Sequence, residues 1–175
     1  TQLTYKSQIL SVNTGGTTWC TGETRNVTVQ IKNNGTATWT DASPEINIGI
    51  KWNTNGTSWA DYYVRVDAGD LAPGATATYT IPVRAMNYTQ AGGYTTNLAT
   101  GTNNLTVDVV YEGISWFAGN GGGVGPGNVV FTTPAQTIVA LPAATPASSV
   151  TLCQGSSSVS LSYSGSTGSP NKYSI

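Results

Sequence analysis

Residues 26–39 read NVTVQIKNNGTATW, and the way they alternate decides the fold class. Val27, Val29 and Ile31 occupy every second position, with Thr28, Gln30 and Lys32 between them. Successive side chains of a strand point to opposite faces, so this is the period of a half-buried strand. Asn33-Asn34-Gly35 then reads as a tight reversal, because Asn and Gly accept positive φ. Trp39 is expected to end the return arm. The same alternation recurs downstream: Ile46, Ile48, Ile50 and Trp52 around Asn47, Gly49 and Lys51, then Ala77, Tyr79, Ile81 and Val83 around Thr78, Thr80 and Pro82. Pro82 cannot donate to a ladder, which assigns its strand to a sheet edge or puts it at a strand end. Further extended segments are expected at 3–12, 58–66, 94–99 and 105–111, separated by Gly-, Asn- and Pro-rich turns. No apolar period of 3.6 persists long enough for a helix. Short strands with turn signals every ~8–12 residues imply an all-β sandwich or barrel.

Composition agrees. A chain of 175 residues holds one domain, or one domain and part of another. It is 38% hydrophobic, enough for a core, but only 9% charged, against about 25% in a typical soluble protein. Thr, Ser, Asn and Gly take the place of charge, giving neutral polar outer faces. A net charge of −1 supplies no field that would draw nucleic acid or an acidic membrane surface. No apolar run approaches the roughly 18 residues of a membrane span, so no membrane insertion is expected.

The composition shifts at Gly113. Ile114-Ser115-Trp116-Phe117 is an aromatic plug, and residues 118–128, AGNGGGVGPGN, hold six glycines and a proline, which suits a linker or a long loop. Beyond 129 the prolines at 134, 142 and 146 favour extended backbone. An echo follows: Cys20-x-Gly22 before Val27, Val29 and Ile31 is matched by Cys153-x-Gly155 before Val159, Leu161 and Tyr163. The expected organisation is a sandwich at 1–117, the Gly-rich linker or loop at 118–128, and at 129–175 an extended segment with the start of a second module.

Little points to catalysis. The chain has no histidine, which removes Ser-His-Asp and Cys-His sites and His-ligated metals together. Glu45 and Glu112 are too scattered for a glycosidase pair. The glycines at 119–127 are followed by no Lys-Ser/Thr, so they are not a phosphate loop. Asp67 and Asp70, with Asp61 upstream, would be the carboxylates of a calcium site; turn-forming aspartates are the competing reading. Cys20 and Cys153 sit in neutral surroundings that would not activate a thiolate. A Cys20–Cys153 disulfide is not the favoured reading; capping thiols, or a partner for Cys153 beyond Ile175, fit better. The aromatics carry more. Trp59, Tyr62 and Tyr63 cluster with Trp52 around one hairpin, and exposed aromatic faces of this kind stack on sugar rings. Trp39, Trp52 and Trp116 read instead as core.

The succession IKNNGTATW, NIGIKW, Arg65, LAPGATATYTIPVRA, GGYTTNL and VVYEGISWF resembles a bacterial immunoglobulin-like module, and more distantly the four-tryptophan domain of autophagy receptors. The resemblance covers about residues 25–117. It implies a β-sandwich without catalytic residues of its own, in which Trp39, Trp52, the Leu71-Pro73-Gly74 turn and Trp116-Phe117 are framework. The tail, SSVTLCQGSSSVSLSYSGSTGSPNKYSI, resembles the opening of the repeated modules in very large type IX-secreted surface proteins of Bacteroidota, gliding-motility adhesins among them. That resemblance implies an extracellular, cell-surface location, a surface glycan or protein as ligand, and further modules of the same polypeptide after Ile175. It leaves three functions open: an adhesin's binding or spacer module, an accessory carbohydrate-binding domain of a secreted enzyme, and a subunit that assembles by strand complementation.

Overall fold

The computed structural model describes residues 3–53, 64–89, 92–118 and 130–141, together with the strands 143–146 and 163–167. Among these residues every regular element is a strand: β1 (Ser7–Asn13), β2 (Thr18–Cys20), β3 (Thr24–Asn33), β4 (Ile46–Trp52), β5 (Val64–Asp67), β6 (Thr76–Arg84), β7 (Met86–Thr89), β8 (Gly93–Asn97), β9 (Gly101–Asn103), β10 (Leu105–Tyr111), β11 (Ser115–Trp116), β12 (Phe131–Thr132), β13 (Gln136–Val139), β14 (Ala143–Pro146) and β15 (Tyr163–Thr167).

Two antiparallel sheets face each other. One runs β1-β3-β6; the other runs β11-β10-β4-β5, with β12 also on β10. The chain thus places its early strands β1 and β3 beside β6 and sends the intervening β4 and β5 to the opposite sheet, where β10 joins them. That is the strand order of an immunoglobulin-like β-sandwich. The core lies where the alternating positions meet. Val27, Val29 and Ile31 of β3 and Ile81 and Val83 of β6 face Ile48, Ile50 and Trp52 of β4 and Leu105, Val107 and Val109 of β10, all fully buried. Within the sheets the registers set Ile31 beside Ala77, Val29 beside Tyr79, Ile48 beside Val109 and Ile50 beside Val107. Pro82 lies on β6, an edge strand, as its missing N–H requires.

The stretch at 33–39 is not a hairpin. β3 pairs with β1 and β6, and after Asn33 the chain crosses to the other sheet. Asn33 is wholly buried and organises the crossing: its Nδ2 donates to the carbonyls of Ala37 (2.8 Å) and Leu71 (2.9 Å), and its Oδ1 accepts from the Gly35 N–H (3.0 Å). Gly35 serves close approach rather than positive φ. A Cβ there would sit 2.2 Å from the Thr4 carbonyl oxygen and 2.8 Å from the Lys6 nitrogen, because the N-terminal segment passes directly over it. Trp39 exchanges backbone hydrogen bonds with Leu71 and stands edge-on to Phe117, with ring centroids 5.5 Å apart.

The sandwich also does not end at 117. β13 is the middle strand of a third small sheet, parallel to β2 and antiparallel to β9. Its Ile138 enters the main core. Gln136, 1% exposed, accepts the Trp19 indole N–H at 3.0 Å and donates to the Pro134 carbonyl at 2.9 Å. β12 continues where β11 stops: β11 pairs with Val110 and Tyr111 of β10, and β12 with Thr106 and Val107. Residues 130–139 therefore belong to the first sandwich. The described segments on either side of residues 119–129, β11 and β12, both pair with β10. β14 and β15 form a separate antiparallel pair. The cysteine echo around Cys153 lies outside the described residues, as does the strand expected at 157–163 apart from Tyr163, the first residue of β15.

Candidate functional site

The sequence-nominated aromatics Trp59, Tyr62 and Tyr63 lie outside the described residues, as does Asp61. Three other places bring polar chemistry together.

The first is the corner between β5 and β6. Asp67 Oδ1 accepts the Gly69 N–H at 2.7 Å, and Asp70 Oδ1 accepts the Asp41 N–H at 3.2 Å. Both proposed calcium ligands are thus used as loop caps, the role that short carboxylates commonly take in turns. The Asp67 carboxylate next to Asp41 pushes the Asp41 carboxyl above the usual range; desolvation, a hydrogen bond with Asp67 and the charges of Asp70 and Glu45 add to the effect. Among the described residues no group of three or more His, Cys, Asp or Glu side chains could hold a metal ion. Cys20 carries a free, half-buried thiol; Cys153 lies outside the described residues.

The second is the outer face of the larger sheet. Alternation along β4 suggests a solvated face at Asn47, Gly49 and Lys51, yet all seven residues of β4 are buried. Arg65 Nη1 donates to both Glu112 carboxylate oxygens at 3.0 Å, Asn47 Nδ2 donates to Glu112 Oε1 at 3.1 Å, and the Arg65 guanidinium lies 5.3 Å from the Trp116 ring centre. Trp116 is therefore framework, but on this outer face with Val110 rather than between the sheets. Asp108 stands opposite the gap between β11 and β12, 3% exposed, accepting the N–H groups of Val109 and Ala118 at the root of the Gly-rich run. Burial pushes its carboxyl up to about 6, against the pull of those two hydrogen bonds. An acid in the apolar run LTVDVVY was the signal that could have singled it out.

This shift has a definite sign. Below pH about 4 Asp108 is protonated both folded and unfolded and contributes no difference. Between the unfolded value of 3.8 and the folded value of about 6 the native state binds the extra proton, so stability falls as pH rises. Above that window the full penalty, about 3 kcal/mol, remains. Asp108→Asn keeps an acceptor for Val109 and Ala118 and removes the titration. The variant is expected to melt above the parent at pH 7 and level with it at pH 4. Thermal melts across that range check this; a gap independent of pH would count against it.

The third place is a cavity of about 230 Å³ at the foot of the β7–β8 hairpin, lined by Asn87 and residues 98–103. Leu98 is fixed at its base, its N–H on the Ala85 carbonyl and its carbonyl accepting the Thr21 hydroxyl. Asn87 Nδ2 is held by Thr96 Oγ1 at 3.0 Å, and Asn103 Oδ1 accepts the Asn104 N–H at 2.8 Å. None of the lining residues is charged. No periodicity marked this site, because a three-residue strand and the loop before it carry none.

No known family matches the chain, and no curated protein does. Among solved structures, the CARDB domain of a Pyrococcus furiosus protein, solved in complex with di-metal ions, is similar at 15% identity and a TM-score of 0.41, over 80% of this chain and 94% of that one.

Proposed function

We propose that the chain is a non-catalytic binding or spacer module of a large tandem-repeat adhesin on the cell surface, working in attachment and followed by further modules. The observation that supports this reading is the outer face of the three-stranded sheet. Across it Lys32 lies beside Thr76 and Gln8, Gln30 beside Thr78 and Ser11, Thr28 beside Thr80 and Asn13, and Asn26 beside Pro82. Most of these side chains are exposed, and nearly all are neutral amides and hydroxyls. A face of this kind makes contacts through short-range hydrogen bonds rather than long-range charge. The core of tryptophans and β-branched side chains behind it keeps it rigid. Beads coated with the chain are expected to be retained under flow on glycan- or protein-coated surfaces above beads carrying an unrelated β-sandwich. No excess retention on any surface would remove the attachment role. The intact mass of the native polypeptide tests the tandem array, and a native chain ending at Ile175 would sink it.

The uncharged cavity beside Asn87 favours a second reading, an accessory carbohydrate-binding domain of a secreted enzyme. The aromatic residues Trp59, Tyr62 and Tyr63 would supply its stacking platform.

A further inference from the structure

We infer that the cavity between Asn87 and the 98–103 segment is a saccharide site that takes a single uncharged pyranose unit; this rests on the chain's working as a binding module, which both readings above share, and names a ligand class for it. The lining supplies what such a ring needs. Exposed Ala99 gives a small carbon surface for the C–H face of the sugar, with Leu98 buried in the core beneath it. Asn87 Oδ1 and the hydroxyls of Thr100 and Thr102 point to polar partners around that surface: among the described residues none of the three is engaged by another side chain, and Thr100 and Thr102 are exposed. Asn87 is already fixed through its Nδ2, so its acceptor is presented without further ordering. Gly101 leaves the wall open. Its φ of +136° is one that other residues rarely adopt, and a Cβ there would meet nothing within 4 Å, so the glycine fills no packing need in the sandwich. The backbone conformation alone accounts for the glycine.

Charge narrows the class. With no Lys or Arg in the lining, a phosphate or sulfate finds no cation; with no Asp or Glu, an amine finds no anion. What remains is a neutral ligand rich in hydroxyl groups. The base is rigid, because Leu98 is bonded at both its N–H and its carbonyl, and β9 is held against β13.

The test uses the full chain and the methyl glycosides of glucose, galactose, mannose and N-acetylglucosamine, followed by amide NMR. At least one glycoside is expected to shift the amides of Leu98, Gly101 and Thr102 with a Kd on the order of 1 mM. Asn87→Ala and the near-isosteric Thr102→Val are each expected to weaken it about tenfold with melting unchanged. The site is overturned if no glycoside moves these amides. It is equally overturned if the shifts vanish with Trp59→Ala while both cavity variants bind as the parent does. Glycosides that fail while chain-coated beads still attach would remove the saccharide site and leave the attachment reading standing; failure of both would remove both.

Discussion

Trp52→Ala is expected to lower the unfolding free energy by about 3–5 kcal/mol. Trp52 is fully buried at the end of β4, opposite Leu105 of β10, and its ring meets that of Trp19 edge-on with centroids 5.2 Å apart at 84°. Truncation removes the largest side chain available from a site held by the β10 ladder and packed between the sheets, so the surroundings cannot collapse into the space. It also strands a carbonyl. Trp52 Nε1 donates to the Arg84 oxygen at 2.7 Å, across the interface to the end of β6. The damage reaches Trp19, which is held between Trp52, Gln136 and the Arg25 guanidinium 4.1 Å from its ring. Urea denaturation should show a lower midpoint with an unchanged slope. Trp52→Phe should recover most of the packing and lose the hydrogen bond, falling between the two. A loss under about 1 kcal/mol for the alanine variant would mean that the end of β4 is not the rigid corner described.

Ending the chain at Ala118 is expected to have a larger effect still: such a chain should not unfold cooperatively at 25 °C, whereas one ending at Leu141 should melt as a single unit. The shorter chain loses Ile138 from the core and the Gln136 acceptor of Trp19. It leaves β2 and β9 with no strand between them and strips β10 of β12. Near Leu105 it also removes Thr133, which exchanges hydrogen bonds with the Leu105 and Asn104 groups. Losing one buried isoleucine costs about 2–5 kcal/mol on the scale of alanine substitutions, and the whole stability of a domain is about 5–15 kcal/mol. Adding the unpaired strands and the orphaned indole N–H brings the sum into the range of the total. Circular dichroism melts and dye binding to exposed apolar surface distinguish the two chains. A synthetic peptide of residues 130–141 should restore the cooperative transition to the shorter chain by strand addition. If the chain ending at Ala118 melts like the longer one, residues 130–139 are an appendage and not part of the sandwich.

These two expectations also show what local sequence can convey. The alternations at Val27-Val29-Ile31, at Ile46-Ile48-Ile50-Trp52 and at Ile81-Val83 identified the strands and their inward faces correctly, because a two-residue period is a local property of the backbone. Pro82 likewise marked its strand as an edge, since a missing donor constrains one residue wherever the chain folds. Partners were harder to see. Asn33-Asn34-Gly35 has the composition of a hairpin, but the glycine answers to Thr4 and Lys6, some thirty residues away in sequence, and the asparagine to Leu71. The Gly-rich run at 118–128 has the composition of a linker, and nothing near it says that Phe131 returns to Val107 or Ile138 to Trp19. β2 and β9 are three residues long, too short for any period to register. The cavity sits beside them for the same reason: its walls come from a loop and the edges of short strands, whose positions long-range pairing alone decides.

The placement of β13 has a consequence for how the protein is made. Trp19 and Gln136 are separated by 117 positions, and β2 waits for a neighbour that emerges that much later. At a synthesis rate of about 5–20 residues per second, the interval is about 6–23 s. Once Arg84 has emerged, β1, β3 and β6 can assemble, while β2 still presents a bare edge and Trp19 an uncovered indole. Pairings so distant along the chain also slow the final collapse, because loop closure must precede the contacts that reward it. A nascent chain of this architecture gains from a holding factor, or from export in an unfolded form, until Val139 has cleared the exit.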